Sequence, residues 1–409
     1  MGFTALQSRD CRADFPALAR THRGLPLVYF DGPGGTQVPQ PVIRAVGAAY
    51  ADHNANRGGH FATSGDVDAA MWRARGIIGD FLGAEDASCI SLGANMTSLA
   101  YALSHALERG LRAGDEVVVT ELDHEANRAP WTRLRAAGIV VREIRLNPDG
   151  RLDEADMRAA IGARTRLVAI GYTSNALGTM NDVELARALS RAVGAYLLVD
   201  AVHFAPHFPL DVQTLRPDFL VCSAYKFYGP HVGILYTRPG LLETLPTDVL
   251  PVQDPLPPYR METGTLNHPA VEGAAAAIEY IASWGKGATL RERIRDAMTG
   301  IGAYEHELGR YFHEAVGRIQ GVTVWGPDFS QRRRAPTVSI TLAGVTAAQA
   351  ARRLGEEGIC VWDGNFYAAR AVEVLGLASR GGLLRTGFSM YSQRSEIDRL
   401  LEAIRRICS

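Results

Sequence analysis

Short apolar segments alternate with segments of helical periodicity between residues 66 and 240. Seven apolar segments predict strands: Ala87–Ser91, Glu116–Thr120, Ile139–Ile144, Leu167–Tyr172, Ala195–Asp200, Phe219–Ser223 and Gly233–Tyr236. Helical spacing between them predicts helices over Asp66–Leu82, Thr97–Arg109, Asn127–Ala137, Leu152–Ile161 and Val183–Val193. This alternation predicts an α/β fold built on a mostly parallel seven-stranded sheet with helices on both faces. Ligands bind such sheets at the carboxyl ends of the strands.

The pattern changes after residue 240. A Pro-rich stretch, Leu245–Pro258, is followed by a long helical region from Val271 to about Ala315. The remaining chain predicts strands Thr337–Leu342 and Gly358–Trp362 and helices Ala347–Glu356 and Ser395–Cys408. We therefore expect a large domain over residues 1–285 and a smaller α/β domain over residues 286–409. Residues 1–30 are expected to pack on the small domain.

Charge and cysteine content narrow the class of protein. The formal net charge of the 409 residues is −1, which does not favour nucleic acid as a partner. No apolar run approaches the roughly 18 residues of a membrane span, and the first residues lack a signal-peptide pattern. Five dispersed cysteines without a CxxC pair predict reduced thiols, no metal site and a cytoplasmic location.

Lysine is the scarcest basic residue of the chain. Only Lys226 and Lys286 are present, and Lys226 lies just after a predicted strand. Unlike arginine, lysine can lose its proton and form a Schiff base with a carbonyl compound. Scarcity alone is weak evidence, because a GC-rich genome favours arginine codons. Whether Lys226 has a chemical function must therefore be judged from the residues at the neighbouring strand ends.

Other predicted strand ends carry polar residues of the kind that bind a pyridine ring and a phosphate. Asp200 ends an apolar strand, where its carboxylate is placed to keep a pyridine nitrogen protonated, and His203 follows it. The turn containing Ala94 and Asn95 precedes a helix whose N-terminus is suited to an anion. His124 follows another strand, where it can stack on a ring and move protons. Each residue alone is equally consistent with a helix cap or a structural hydrogen bond.

Taken together, these motifs resemble the class V aminotransferase family of fold type I pyridoxal phosphate enzymes, in its cysteine desulfurase-like branch. The likeness extends from the Tyr29–Thr36 segment to Arg385. The resemblance implies pyridoxal 5'-phosphate as cofactor, with Lys226 bonded to it, Asp200 at the pyridine nitrogen and His124 stacked on the ring.

The resemblance also implies the remaining contacts. It places Asn175 and His203 at the ring oxygen, and His203 stands where relatives usually carry Gln. Further cofactor contacts are implied for Ala94, Asn95, Val202, Ser223 and Tyr225, and for Thr265 supplied across the interface of a homodimer. An amino-acid substrate is expected to bind Arg385 through its carboxylate, with Arg57 near the mouth of the site and Asn365 and Tyr367 shaping the pocket.

One loop departs from the desulfurase pattern. Residues 361–370 contain no cysteine, and Tyr367 or its neighbour occupies the place of the sulfur-accepting residue. Cys360 precedes the loop on a predicted strand, where we expect its side chain to point into the core. This departure argues against a persulfide-forming cysteine desulfurase and predicts a C–S β-lyase acting on an S-substituted cysteine.

Three other outcomes use the same early chemistry: decarboxylating oxidative deamination, epimerisation and transamination. The sequence does not separate them, because all of them share the same early carbanion beside the same cofactor. A non-catalytic binding protein is disfavoured, since Lys226, Asp200, His124 and Arg385 are all kept.

Overall fold

The computed structural model describes residues 3–330 and 334–409. Its strands, in chain order, are β1 (Thr21–His22), β2 (Leu25–Pro26), β3 (Val28–Tyr29), β4 (Ile90–Gly93), β5 (Glu116–Thr120), β6 (Val140–Ile144), β7 (Thr165–Gly171), β8 (Tyr196–Asp200), β9 (Phe219–Ser223), β10 (Gly233–Thr237), β11 (Val322–Trp325), β12 (Thr337–Leu342), β13 (Ile359–Cys360), β14 (Trp362–Gly364) and β15 (Leu383–Gly387).

The α-helices cover both faces of the strands and form most of the outer layers. They are α1 (Ala5–Arg12), α2 (Gln40–Asp52), α3 (Ala62–Leu82), α4 (Met96–Glu108), α5 (Ala129–Thr132), α6 (Glu154–Ala160), α7 (Val183–Ala192), α8 (Val212–Leu215), α9 (His268–Ala282), α10 (Leu290–Val316), α11 (Ala347–Glu356), α12 (Ala369–Val374) and α13 (Arg394–Cys408).

The main sheet has seven strands in the order β4-β10-β9-β8-β7-β5-β6. Only β10 runs antiparallel to its neighbours, β4 and β9. Every residue of β5 and β9 is buried, as expected for central strands with helices on both faces. The predicted fold class, a mostly parallel seven-stranded sheet with a smaller α/β unit, is confirmed.

A second sheet lies in the C-terminal part of the chain. Its four strands follow the order β11-β12-β15-β14, and all pairs are antiparallel. The N-terminal segment contacts this part of the chain: β3 pairs with β13, Ser8 Oγ donates to the Ser392 carbonyl, and the Cys11 thiol donates to the Met390 carbonyl. The proposed domain boundary at residue 285 stays a prediction.

Three predicted elements differ in the structure. Residues 358–362 do not form one strand, because β13 pairs with the N-terminal β3 whereas β14 pairs with β15 in the small sheet. Apolar periodicity does not reveal such a change of partner. The predicted helix over 127–137 is a short α-helix followed by a 3-10 helix, Arg133–Ala137. Ala87–Cys89 is also a 3-10 helix, with the Asp86 side chain accepting from Ser88 N at its start.

A turn between β4 and α4 places a helix N-terminus at the edge of the main sheet. Asn95 caps α4, because its Oδ1 accepts a hydrogen bond from Ser98 N at 2.8 Å. Ser98 Oγ in turn donates to the Asn95 carbonyl. A side chain at Gly233 of β10 would overlap the Asn95 backbone. Glycine is therefore required at 233 for the close approach of β10 to this helix start.

In the described ranges, 3–330 and 334–409, no helix combines the length and the apolarity that a bilayer crossing requires.

A buried ion pair joins α3 to the edge of the main sheet. Arg75 donates to both carboxylate oxygens of Glu262 at 2.6 Å, and also to the Ile90 carbonyl at 2.7 Å. Glu262 accepts a further bond from Leu92 N at 2.7 Å. Both side chains are almost fully shielded from solvent. Removing one partner leaves an uncompensated buried charge, which is strongly destabilising.

The Glu262→Ala substitution is therefore expected to lower the free energy of unfolding by about 3–5 kcal/mol. The matched control is Glu279→Ala, which removes the exposed pair between Arg73 and Glu279 and is expected to cost less than about 1 kcal/mol. Urea unfolding followed by circular dichroism measures both changes. Equal shifts in the two variants would contradict the assignment of Arg75–Glu262 as a stabilising link.

Candidate active site

Lys226 lies in the turn that follows β9. It forms part of a 3-10 helix, Ala224–Lys226, and only 8% of the residue is exposed. Its Nζ donates to the carbonyl of Gly34 at 2.9 Å and to the carbonyl of Pro33. Burial, with a smaller contribution from the Arg385 charge, lowers the pKa of Lys226 to about 7. A substantial fraction of this amine is therefore neutral, and nucleophilic, near neutral pH.

Asp200 lies at the end of β8, the strand next to β9. Its Oδ1 accepts from Val202 N at 2.9 Å. Burial raises the pKa of Asp200 to about 6, although the Val202 bond and the Lys226 charge favour the ionised form. Because β8 and β9 are parallel, the carboxylate and the amine meet at the same edge of the sheet.

One cavity brings together most of the residues predicted from the sequence. Its lining includes nine of them: Asn95, His124, Asn175, Asp200, Val202, His203, Ser223, Tyr225 and Lys226. They come from turns after several different strands of the main sheet, so the fold has gathered them from separate parts of the chain.

The end of the cavity beside α4 offers hydrogen-bond donors. Ser223 Oγ accepts from Met96 N, the first residue of α4, at 3.0 Å. Tyr225 is held against His231 by ring stacking, with centroids 4.6 Å apart and an angle of 7° between the planes. The positive end of the α4 dipole and the hydroxyl groups of Ser223 and Tyr225 together suit a phosphate.

His124 covers another side of the cavity. Burial, and then the charges of Lys226 and Arg385, lower the pKa of His124 to about 4, so its ring is neutral at physiological pH. The ring stacks on Tyr367 at a centroid distance of 5.5 Å. The same loop is joined to the turn after His124 by a bond from Glu125 N to the Tyr367 carbonyl, at 2.6 Å.

Arg385 lies on β15 at the opening of the cavity. Its Nη2 is 3.0 Å from Asp31 Oδ1, and its Nη1 donates to the Asn175 carbonyl at 3.1 Å. The guanidinium lies over the Phe366 ring at 4.3 Å. Within the described part of the chain, Arg385 Nε has no hydrogen-bond partner. A buried guanidinium with an unused donor is suited to a carboxylate ligand.

Six predicted site residues do not line this cavity: Arg385 and Tyr367 line the opening beside it, and four others line neither. Arg57 contacts Asp68 at 2.8 Å and the Tyr259 hydroxyl at 3.0 Å, and it lines a separate surface opening together with Thr265. Ala94 is not among the lining residues. Asn365 Oδ1 accepts a hydrogen bond from Tyr367 N at 3.0 Å, so its side chain stabilises the conformation of the loop itself.

Sequence reasoning missed Asp123, which also lines the cavity. Its carboxylate accepts from Gly171 N and from Asn127 Nδ2, both at 2.9 Å. Burial, with a smaller contribution from Asp200, raises the pKa of Asp123 to about 7. Its place just before His124 at a strand end was the available signal. Asp31, the partner of Arg385, was also missed, since no pattern links positions so far apart.

The residues present fit pyridoxal 5'-phosphate. A helix start suited to a phosphate, a buried carboxylate and a buried lysine line one cavity, as a group bearing a phosphate, a ring nitrogen and an aldehyde requires. His203 Nδ1 and Arg385 Nε are buried polar atoms with no partner among the described residues. Such atoms are expected to bond to a ligand or to water.

Comparison with known proteins agrees with this geometry. The family model for aminotransferase class V matches residues 28–400. A probable cysteine desulfurase of Mycolicibacterium paratuberculosis is 34% identical over 97% of this chain, which spans 57% of that protein. A cysteine desulfurase of Pectobacterium atrosepticum is 32% identical over 97% of both chains. The apo structure of a cysteine desulfurase from Thermococcus onnurineus NA1 has a TM-score of 0.87 and 28% identity, covering 98% of this chain and 97% of that one.

These relatives contradict two predictions made from the sequence. The predicted C–S β-lyase, with its alternatives of deaminase, epimerase and aminotransferase, is wrong, and so is the exclusion of a persulfide-forming cysteine desulfurase. Relatives 32–34% identical over 97% of this chain are named as cysteine desulfurases. The predictions gave one loop position more weight than the whole chain. The expected cofactor, by contrast, is confirmed. The chain belongs to the class V aminotransferase family, whose cofactor is pyridoxal 5'-phosphate.

Proposed function

We propose that the protein is a pyridoxal phosphate-dependent cysteine desulfurase, which removes sulfur from cysteine and transfers it to a thiol. The observation that carries this proposal is the buried Lys226 amine in one cavity with Asp200, His124 and the start of α4. The named relatives support the choice of cysteine as substrate.

The bound cofactor supplies an electron sink for the substrate Cα. Lys226 would hold the cofactor through its aldehyde, and the neutral Lys226 amine would move the proton at Cα. Asp200 would keep the ring nitrogen protonated, and His124 would stack on the ring. Phosphate contacts would come from Ser223 and Tyr225, with Asn95 contributing at the α4 start.

The substrate is held by its carboxylate. Arg385 Nη2 lies 3.0 Å from Asp31 Oδ1. A bound substrate carboxylate would therefore either share the Arg385 guanidinium with Asp31 or take the place of Asp31. Asn175 and Phe366 hold the neighbouring wall in place, because Asn175 Nδ2 donates to the Phe366 carbonyl at 2.8 Å. Tyr367, supported by Asn365, covers the side chain of the substrate, whereas Arg57 lines a separate opening.

We further propose that the sulfur acceptor is a thiol from outside the chain. The loop over residues 361–370 has Tyr367 and no cysteine. None of the five described cysteines lines the cavity or its opening. Burial, followed by the Asp31 charge, raises the pKa of the Cys360 thiol and makes it a poor nucleophile. In the balanced reaction, cysteine and the acceptor thiol give alanine and a persulfide: the Cβ–S bond breaks, an S–S bond forms, and the thiol proton ends on Cβ.

The assembly is proposed to be a cytoplasmic homodimer. Thr265 and Arg57 line an opening away from their own Lys226, together with the exposed Leu250 and Val252. A second copy placed there would cover these apolar side chains and bring Thr265 to the phosphate of its neighbour. The free cysteines agree with a reducing compartment.

The two lysines of the chain provide a matched test of the cofactor bond. Lys226→Ala is expected to abolish covalent retention of the cofactor after borohydride reduction, and to lower alanine formation from cysteine by at least about 1,000-fold. Lys286→Ala is expected to leave both unchanged. Mass spectrometry of the reduced protein and an amino-acid assay give the two readouts. Retention of the covalent cofactor in Lys226→Ala would rule out the assignment.

Uptake of the cofactor by the apoprotein is expected to depend on pH through Lys226. Only the neutral amine attacks the aldehyde, so the rate rises with pH and levels off above the lowered pKa of about 7. Arg385→Gln removes a positive charge and is expected to move this midpoint upward, whereas the exposed Arg73→Gln leaves it in place. Stopped-flow absorbance measures the rate. A wild-type midpoint near the ordinary lysine value would contradict the prediction.

The acceptor proposal is tested by supplying cysteine with and without a small thiol such as dithiothreitol. Because the substrate cysteine is itself a thiol that can accept sulfur, alanine formation is expected to continue over many turnovers in both cases and to be faster with dithiothreitol. Cys360→Ser is expected to retain at least about half of the faster rate. Cys408→Ser serves as the control at a second partly buried thiol. If Cys360→Ser abolishes turnover while the cofactor stays bound, the acceptor is Cys360 and not an external thiol.

A further inference from the structure

Four arginine side chains line one cavity at the edge of the main sheet opposite the cofactor site. Arg187 and Arg191 belong to α7, whereas Arg216 follows α8 and Arg238 follows β10. The same cavity is lined by Tyr196, the first residue of β8, whose last residue, Asp200, lines the cofactor cavity. The length of one strand, roughly 15 Å, therefore separates the two sites.

The positive charge of this basic cavity is only partly balanced within residues 3–330 and 334–409. Its one acidic lining residue, Asp218, is 2.8 Å from Arg238 Nε. Arg187, Arg191 and Arg216 have no ion pair with another described residue. Arg187 Nε is buried and has no hydrogen-bond partner among these residues either. Guanidinium groups gathered around one carboxylate repel each other, and an anion bound among them would remove this repulsion.

The arrangement of the arginines favours a phosphate. Arg187 and Arg191 are four residues apart on α7, so they are neighbours on the surface of the helix. A guanidinium presents its N–H donors in a fixed plane, which matches two oxygens of a phosphate or a carboxylate. Because three of these groups have no ion pair in the described ranges, a doubly charged phosphate balances them better than a singly charged carboxylate.

A mostly apolar cavity adjoins the basic one, since Gly194 and Tyr196 line both. The volumes of the apolar and basic cavities are about 350 and 470 Å³. Both values are typical of small-molecule sites, which span roughly 300–1,000 Å³. The apolar lining includes Leu107, Leu111, Trp131, Leu134 and Leu245.

The apolar cavity contains one buried donor without a partner. Trp131 Nε1 has no hydrogen bond within the described part of the chain. Two other polar side chains of the lining are already bonded: Arg166 Nε is 3.0 Å from Asp115, and Thr244 Oγ1 donates to the Leu241 carbonyl at 2.8 Å. Leucine side chains and one indole suit a hydrocarbon or aromatic group better than a sugar, whose hydroxyl groups need several polar partners.

We propose that the two cavities form one binding site for an amphipathic phosphate monoester, with the phosphate among the arginines and the apolar group against Trp131. Aliphatic and aromatic phosphate esters share this chemistry. The site lies away from Lys226 and does not depend on the proposed desulfurase activity.

Isothermal titration calorimetry of the holoenzyme tests the proposal with four probes. Octyl phosphate and 1-naphthyl phosphate carry both groups, 1-naphthol lacks the phosphate, and inorganic phosphate lacks the apolar group. At least one ester is expected to bind about tenfold or more tightly than 1-naphthol and inorganic phosphate, and the tighter ester identifies the apolar group as aliphatic or aromatic. Arg187→Gln and Arg191→Gln are each expected to weaken binding of that ester about tenfold, because each removes a charge-assisted hydrogen bond.

Three further variants show where the ester binds. Arg73→Gln removes an exposed charge elsewhere, and Arg385→Gln removes the guanidinium of the proposed substrate site; both are expected to leave the affinity unchanged. Leu111→Glu places a negative charge in the apolar cavity and is expected to weaken the ester more than inorganic phosphate. Arg187 is partly buried and Arg191 and Arg73 are exposed, so these variants are expected to fold, which circular dichroism checks.

Esters that bind no better than inorganic phosphate would overturn the proposal. So would an affinity that persists in Arg187→Gln and Arg191→Gln but is lost in Arg385→Gln. Because the titration measures no turnover of cysteine, its outcome is independent of the proposed desulfurase activity.

Discussion

The burial of one lysine amine at the carboxyl end of β9 is the constraint on which the rest of the site depends. Nζ of Lys226 is held by two backbone carbonyls and lies near the positive charge of Arg385. Burial destabilises the charged amine, and so makes a reactive neutral amine available near neutral pH. The parallel pairing of β8 with β9 then places Asp200 beside it. A lysine on the surface, such as Lys286, lacks this environment.

The strand ends of the main sheet line the cavity, and the N-terminal segment and the small sheet line its opening. Asp31 follows β3 and bonds to Arg385 of β15, and the 366–367 loop reaches His124. Phe366 and Tyr367 both have positive φ angles, 56° and 59°. Non-glycine residues in this conformation cost on the order of 1–3 kcal/mol each and are frequent at functional sites. The strained loop therefore supports a role at the pocket, although Tyr367 itself is 73% exposed.

The fate of the sulfur and the chemistry of the cofactor depend on different parts of the site. A missing loop cysteine bears on where the sulfur goes, whereas cofactor binding and the first bond-breaking step depend on the rest of the site. Over 97% of its length the chain is 32–34% identical to proteins named as cysteine desulfurases. The proposed external thiol acceptor is consistent both with this likeness and with a loop over residues 361–370 that contains no cysteine.

By itself the sequence determined the α/β class and the order of most strands and helices, because hydrophobic periodicity is a local signal. The cofactor followed from the family resemblance, and Lys226, Asp200 and His124, which the sequence singled out at strand ends, do line one cavity. Only the tertiary structure decided which distant residues meet. It joined Asp31 to Arg385, placed Asp123 beside the cofactor cavity, split residues 358–362 between two sheets, and gathered Arg187, Arg191, Arg216 and Arg238 around one cavity. These contacts depend on how helices and sheets pack against each other, and no spacing along the chain encodes them.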